Sequence, residues 1–305
     1  MIHRQPNTTL IICDKPDKEV LSLANQLENF FIIDTYSLSN VFRSEAFYIG
    51  DITSFNYPIN SIGSQLPKPS SVGSIYWRSL NPSPFMPAAK SLRNGIASIC
   101  LILEQYSSAK WFNSPRAFWA HINKPLQLKK ISDMGIKVPE TLYTTSDIIA
   151  KNFINQIKNA VIKPISGGDY TRKVSPKTCD DILATLFKNE VYIGIPSTIQ
   201  RFIEGVNVRS YVIGNKVYSA KIISELVDYR TDAKYITLPI STNSVLESLC
   251  LKVKQALGLR WTAIDWILEG NEYIFLEANF SPMFYDFQKI TGYPISALLA
   301  KELSG

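Results

Sequence analysis

Two stretches of this chain hold residues whose types and spacing could do chemistry. The first is Trp261–Pro282, WTAIDWILEGNEYIFLEANFSP. WTAIDWIL and EYIFLEANF are rich in β-branched and aromatic residues, and Glu269-Gly270-Asn271 sits between them as a three-residue hairpin loop. That loop predicts Leu268 opposite Glu272 and Asp265 opposite Phe275. Side chains alternate faces along a strand, so Asp265, Glu277 and Asn279 fall on one face, with Glu277 diagonal to Asp265. Two carboxylates left among apolar strands without a cation would repel each other and lose hydration. A hard cation such as Mg²⁺ takes oxygen ligands and keeps phosphates and waters in its shell. Edge positions facing solvent would produce the same pattern.

The second stretch is Ala160–Lys173, AVIKPISGGDYTRK. A predicted strand delivers Lys163 just before Ser166-Gly167-Gly168. Paired glycines let backbone N–H groups turn toward a phosphate, and a neighbouring lysine adds a point charge. The lysine precedes the glycines, so this is not the GxxxxGK[ST] loop, and a plain hairpin turn is the alternative. Arg78, at the end of the predicted strand Ser74–Leu80, could hold a carboxylate or phosphate bidentately, or simply pack on Trp77. Lys124 stands in Asn123-Lys124-Pro125, where Pro125 interrupts a helical pattern that opens at Ser114 and stops at Gly135. On local chemistry it reads as a solvated helix lysine.

The whole chain limits what these residues can serve. At 305 residues it has room for two or three domains. No apolar run has transmembrane length, and MIHRQPNTTLIICD lacks a signal-peptide pattern. Cys13, Cys100, Cys179 and Cys250 form no CxxC pair, so neither a zinc site nor a disulfide framework is predicted and a reducing cytoplasm fits. Only two histidines, His3 and His121, argue against a His-dependent triad. The net charge of +6 favours anionic partners, but its lysines and arginines are dispersed, so no nucleic-acid or membrane partner is expected.

The elements that must position these residues follow in order. TTLIIC, a helical spacing through Val20, Leu21, Ala24 and Leu27, and FFIIDTY make a β-α-β start. No GxGxxG follows the first strand, which removes a dinucleotide-binding reading. Helical spacing returns at 88–108, at 146–158 and at 180–188. STIQRFI reads as a strand, and VNVRSYVIGNKVYSAKIIS as an antiparallel meander turning at Gly214-Asn215. A helix over Leu246–Leu257 closes at Gly258, and a last helix covers Ile295–Leu303.

Taken in this order, strand–lysine–glycine loop, QRFIEG, VNVRSYVIG, AIDW and FLEANFSP resemble the ATP-grasp ligase superfamily over about residues 111–305. Within it the chain resembles the branch of ribosomal-protein glutamate ligases and microviridin-type peptide cyclases (graspetide maturases). YWR before a proline-rich break, and SAKIIS…DYR over Ser219–Arg230, point to the cyclases. The resemblance implies an α/β fold of α+β modules: a pre-ATP-grasp domain over 1–110, a central subdomain over 111–196 and a C-terminal subdomain over 197–305, with nucleotide held between the last two. It implies ATP and Mg²⁺ as cofactors. Lys124 and Lys163 match phosphate-contacting lysines, which reverses the local reading of Lys124, and Ser166, Gly167 and Gly168 match the phosphate-covering loop. Gln200, Arg201, Phe202 and Ile203 match the hinge strand whose backbone contacts adenine. Asn207 falls where relatives often carry an acidic ribose contact. Arg209 and Arg230 match arginines near the γ-phosphate and acyl-phosphate, and Asp265, Glu277 and Asn279 match the Mg²⁺ ligands.

The implied reaction activates a carboxylate as an acyl-phosphate and passes it to an amine or hydroxyl. The substrate implied is a precursor peptide with an acidic core and a leader segment, and a homodimer is left open. Amino-acid addition to a small molecule or protein tail is the alternative within the fold. A nucleotide-binding regulatory protein, as synapsins resemble, is the alternative outside enzymes.

Overall fold

The computed structural model describes residues 8–34, 66–79, 103–114, 117, 121, 123–165, 171–187, 196–232 and 234–305. Ser166, Gly167, Gly168, most of the 88–108 helical pattern and the side chain of Arg230 lie outside the described residues. Two compact units are present: Met1–Ser114 with Met283–Gly305, and Pro115–Pro282.

The first unit is built on the β-α-β start. β1 (Thr8–Cys13) pairs in parallel with β2 (Phe30–Asp34) and with β3 (Val72–Trp77), and β3 pairs in parallel with β4 (Lys110–Phe112), giving the order β2-β1-β3-β4. Leu10, Ile11 and Ile12 are fully buried because a parallel sheet is covered on both faces. α1 (Lys18–Ala24) is capped by Asp17, whose carboxylate accepts from Val20 N–H. Arg78 pairs with that same Asp17 (Nε–Oδ2 3.0 Å) and approaches buried Glu19 at 3.8 Å. Its strand-end position thus serves the unit's own carboxylates. The final helix, Ile295–Ser304, packs on β1 and β3 of this unit.

The second unit holds two antiparallel sheets. One has the order β5-β8-β6-β7: β5 is Thr141–Thr144, β6 Ala160–Pro164, β7 Arg172–Val174 and β8 Ser197–Arg201. Helices α3 (Asp147–Ile157) and α4 (Cys179–Phe187) cover one face, burying Ala150, Ile154, Cys179 and Leu183 against Ile162 and Ile199. The other sheet runs β11-β10-β9-β12-β13, with β9 Val206–Ile213, β10 Lys216–Ile223, β11 Ile236–Ile240, β12 Trp261–Glu269 and β13 Glu272–Asn279. The predicted meander is present, and Gly214 turns it at φ +55°. Trp261, Trp266, Phe275 and Tyr211 form its buried aromatic core. Helices α2 (Lys124–Asp133) and α5 (Ser244–Ala256) pack on this sheet. α2 starts where the sequence breaks: Asn123 accepts from Leu126 N–H and Pro125 occupies the first turn, so the proline opens the helix bearing Lys124. Parallel α/β and antiparallel α+β modules together match the predicted fold class. No helix among the described residues is long and apolar enough to cross a membrane.

The link from β8 to β9 passes very close to β12. A Cβ on Gly205 would stand 2.4 Å from the Leu268 carbonyl oxygen and 2.6 Å from Ile267 Cγ2. Gly205→Ala must therefore push the hinge off the sheet. We expect a loss of about 1–3 kcal/mol of stability by denaturant titration. An unchanged midpoint would show that the hinge yields freely.

Candidate active site

The hairpin that presents the acidic residues differs from its predicted register in two ways. Its turn has two residues, Gly270 and Asn271, with Gly270 at φ +59°, so Glu269 faces Glu272 and Leu268 faces Tyr273. Glycine at the first turn position matches the twist of the flanking strands, which the three-residue reading overlooked. A bulge then leaves Leu276 as the extra residue on β13, between the pairs Trp266–Phe275 and Asp265–Glu277. Glu277 is therefore directly opposite Asp265 rather than diagonal to it, and Asn279 stands opposite Ala263. The turn moves the register one way and the bulge restores the face, so the three side chains still share one side. Bulges commonly re-aim side chains in this way beside functional clefts.

Arg209 on β9 is the cross-strand partner of Asp265. Its Nη1 donates to Asp265 Oδ1 (2.8 Å) and Oδ2 (3.0 Å) and to the Tyr229 hydroxyl (3.0 Å), and its Nε donates to the Tyr211 hydroxyl (3.3 Å). Both charged side chains of the pair are 15% exposed. Burial alone would lower the guanidinium pKa, but Asp265, Tyr211 and Tyr229 outweigh it and hold the group well above its usual range. Burial, and then Asp265, push the Tyr229 hydroxyl upward, so it stays protonated. Asn279 Nδ2 donates to Asp265 Oδ2 (3.0 Å) and reaches Glu277 Oε1 at 3.5 Å, so both carboxylates converge on one amide. Lys124 Nζ pairs with Glu277 Oε2 at 3.1 Å. Among the described residues no third His, Cys, Asp or Glu completes a metal cluster. Two carboxylates and an amide fit a hard cation whose remaining positions go to phosphate and water.

On the other sheet, Lys163 and Gln200 occupy neighbouring strands on one face, and Lys163 Nζ donates to Gln200 Oε1 (3.0 Å). Gln200 Nε2 donates onward to Thr141 Oγ1 (2.9 Å). Arg201 N–H and Phe202 N–H are taken by the carbonyls of Glu140 (2.8 Å) and Asn159 (2.9 Å). Lys163, Gln200, Arg201, Phe202, Ile203 and Asn207 line one cleft together with Asp265 and Glu277. Leu276, Trp266, Ile267, Val208 and Ile222 give that cleft an apolar floor, and Asp228 and Tyr229 also border it. Lys124, Arg209 and Asn279 join the same group through their bonds to Asp265 and Glu277. The sequence reading singled out none of Tyr211, Tyr229, Gln127 and His121. Tyr211 and Tyr229 could have been suspected from the motifs they sit in, VRSYV and DYR.

His121 lies beside Lys124, with Nδ1 3.4 Å from Nζ and also accepting from Phe280 N–H (3.4 Å). Burial, then the Lys124 charge, lowers its pKa from 6.5 to about 4. Above pH 6.5 the ring is neutral both folded and unfolded and contributes nothing. As pH falls from there toward 4, the unfolded chain takes up a proton that the folded chain refuses, and stability is lost. The full loss should approach about 3 kcal/mol. Denaturant titrations at pH 7 and pH 4.5 should show this slope, and His121→Gln should flatten it. An equal slope in the variant would assign the acid loss to other groups.

With the geometry in hand, comparison with known proteins locates the chain. A probable alpha-L-glutamate ligase of Mannheimia succiniciproducens is 25% identical over 203 residues, 63% of this chain and 68% of that protein. The ATP-grasp ligase PsnB complexed with a minimal precursor superposes with a TM-score of 0.76 at 24% identity, covering 97% of this chain and 98% of that one. PsnB has also been captured with Mg and ADP. The macrocyclase MdnC from Microcystis aeruginosa, bound with its precursor peptide MdnA, gives 0.72 at 21% identity over 98% and 99% of the two chains. At these identities the structural likenesses speak for the fold. The RimK-like ATP-grasp domain matches residues 122–303, which span the cleft and both of its sheets. The chain therefore belongs to the RimK-like ATP-grasp family and is an ATP-grasp ligase, as its ordered motifs led us to expect.

Proposed function

We propose that this ligase activates side-chain carboxylates of a ribosomally made, acidic precursor peptide and joins them to amine or hydroxyl side chains of the same peptide. The products are macrolactams or macrolactones. The observation that supports this reading is the degree of structural likeness: peptide-bound PsnB and MdnC superpose with TM-scores of 0.76 and 0.72, against 0.62 for a RimK-domain ATP-grasp protein of Sphaerobacter thermophilus that is covered just as fully. The net charge of +6 adds to it, because a basic protein with an acidic metal site carries its positive charge elsewhere.

In this reading Asp265, Glu277 and Asn279 hold Mg²⁺, which supplies charge neutralisation at the transferring phosphoryl group. Lys124, Lys163 and the Ser166-Gly167-Gly168 loop hold the ATP phosphates. The hinge Gln200–Ile203 receives adenine. Arg201 and Phe202 N–H are already bonded to the carbonyls of Glu140 and Asn159. Asn207 faces the ribose as a neutral group. Arg209 and Arg230 stabilise charge on the γ-phosphate and on the acyl-phosphate. A carboxylate oxygen attacks the γ-phosphorus and ADP leaves; an amine or hydroxyl then attacks the carbonyl and phosphate leaves. No protein nucleophile is needed, which agrees with a chain that carries only two histidines. The apolar cleft floor limits hydrolysis of the acyl-phosphate.

Mass spectrometry of an acidic peptide encoded beside the gene, incubated with enzyme, ATP and Mg²⁺, tests the reading. Each intramolecular bond removes one water, so the peptide should lose mass in steps of about 18 Da. The curated relatives support a second reading, amino-acid addition, for which the acceptor would instead gain the mass of a residue. ATP-dependent gain, with no loss on any acidic peptide, would move the assignment to that reading.

A further inference from the structure

We infer that Gln127 is a positioning residue for the metal-binding hairpin; the inference rests on reading Asp265, Glu277 and Asn279 as the Mg²⁺ donors. Among the described residues β13 is the edge strand of its sheet, so alternate backbone groups point away from β12 with no described strand to receive them. Ala278, between Glu277 and Asn279, is one of these positions. Its N–H donates to Gln127 Oε1 (3.1 Å), and its carbonyl accepts from Gln127 Nε2 (3.1 Å). A side-chain amide thus takes the place of a neighbouring strand at the one residue that separates the two β13 donors. The reciprocal pair also fixes which end of the amide is which.

Gln127 is 2% exposed and stands on the face of α2 that buries Leu128 and Ile131. An uncharged polar side chain among apolar ones on a packed helix face is costly unless its bonds are made, and here both ends are satisfied. Gln127 also lies three residues after Lys124, so the two share a helix face. From that one helix Lys124 holds the Glu277 carboxylate, while Gln127 holds the backbone of Ala278 between Glu277 and Asn279. The amide therefore sets the direction in which two of the three proposed ligands project. Partners of this kind typically change metal affinity or activity about ten- to a hundredfold when removed.

The test compares ADP binding by calorimetry, with Mg²⁺ and with EDTA, in wild type and three variants. Gln127→Met keeps the volume and the helix but removes the amide. We expect it to reduce the Mg²⁺-dependent gain in ADP affinity about tenfold while leaving affinity in EDTA unchanged. Leu128→Ala, on the same helix face, should lower Tm by at least as much and keep the full Mg²⁺ gain, which separates positioning from general destabilisation. Glu277→Gln should lose the gain outright. If Gln127→Met keeps the gain while Glu277→Gln loses it, the metal site stands and the role of Gln127 is overturned. If Glu277→Gln also keeps the gain, the metal reading falls and takes this inference with it. A Leu128→Ala loss equal to that of Gln127→Met would reduce Gln127 to a stability residue.

Discussion

Glu277→Gln is expected to lower Mg²⁺-dependent ADP formation about a thousandfold, because one charged ligand of a Mg²⁺–nucleotide site is worth several kcal/mol in the transition state. The substitution is chosen on structural grounds. Asp265 is the counter-charge of Arg209, and both are 15% exposed. Asp265→Ala would leave a buried guanidinium uncompensated, at a cost of about 3–5 kcal/mol, and would confuse unfolding with lost chemistry. Glu277 pairs with Lys124, and its side chain is 25% exposed. A glutamine there can still accept from Lys124, so the fold should persist with a Tm near that of wild type. Near-wild-type turnover in a folded Glu277→Gln protein, measured by coupled ADP release, would remove Glu277 from the metal set.

Lys163→Met should weaken ATP binding about ten- to a hundredfold and take turnover below detection. A single charged hydrogen bond to phosphate accounts for a loss of that size. Lys163 already donates to Gln200, so two roles are in competition: a phosphate contact, or a tether that fixes the hinge. Gln200→Leu separates them. It removes the tether but leaves the charge, and should cost far less than Lys163→Met. If calorimetry gave Lys163→Met the ATP affinity of wild type and its rate were also unchanged, the lysine would be structural.

Much of this site could be read from the sequence, for physical reasons that vary by residue. The shared face of Asp265, Glu277 and Asn279 follows from the two-residue period of a strand. It survived a wrong register because a bulge offset the shorter turn. The pairing itself could not be read, since a bulge depends on how β13 meets its neighbour and leaves no mark in local composition. Lys163 was legible because its strand and the glycines sit side by side in the chain. Lys124 was legible only through the family resemblance and not from its local chemistry, because its meaning comes from Glu277, which is brought to it only by packing of α2 on the sheet. Gln127 is the clearest case of tertiary information. Nothing in Lys-Pro-Leu-Gln announces a residue that bonds to the backbone of Ala278, and only the edge position of β13 gives it that task.

The central chemical claim is that a substrate carboxylate is phosphorylated before the new bond forms. It is tested most directly by following the carboxylate oxygens. An acidic peptide whose Asp and Glu side chains carry isotopically heavy oxygen would be incubated with the enzyme, ATP and Mg²⁺. In an acyl-phosphate route the carboxylate oxygen that attacks the γ-phosphorus leaves with it. We therefore expect one heavy oxygen in inorganic phosphate for every crosslink formed, and none in the nucleotide. Heavy oxygen appearing in AMP, or crosslinked peptide formed alongside unlabelled phosphate, would contradict the account.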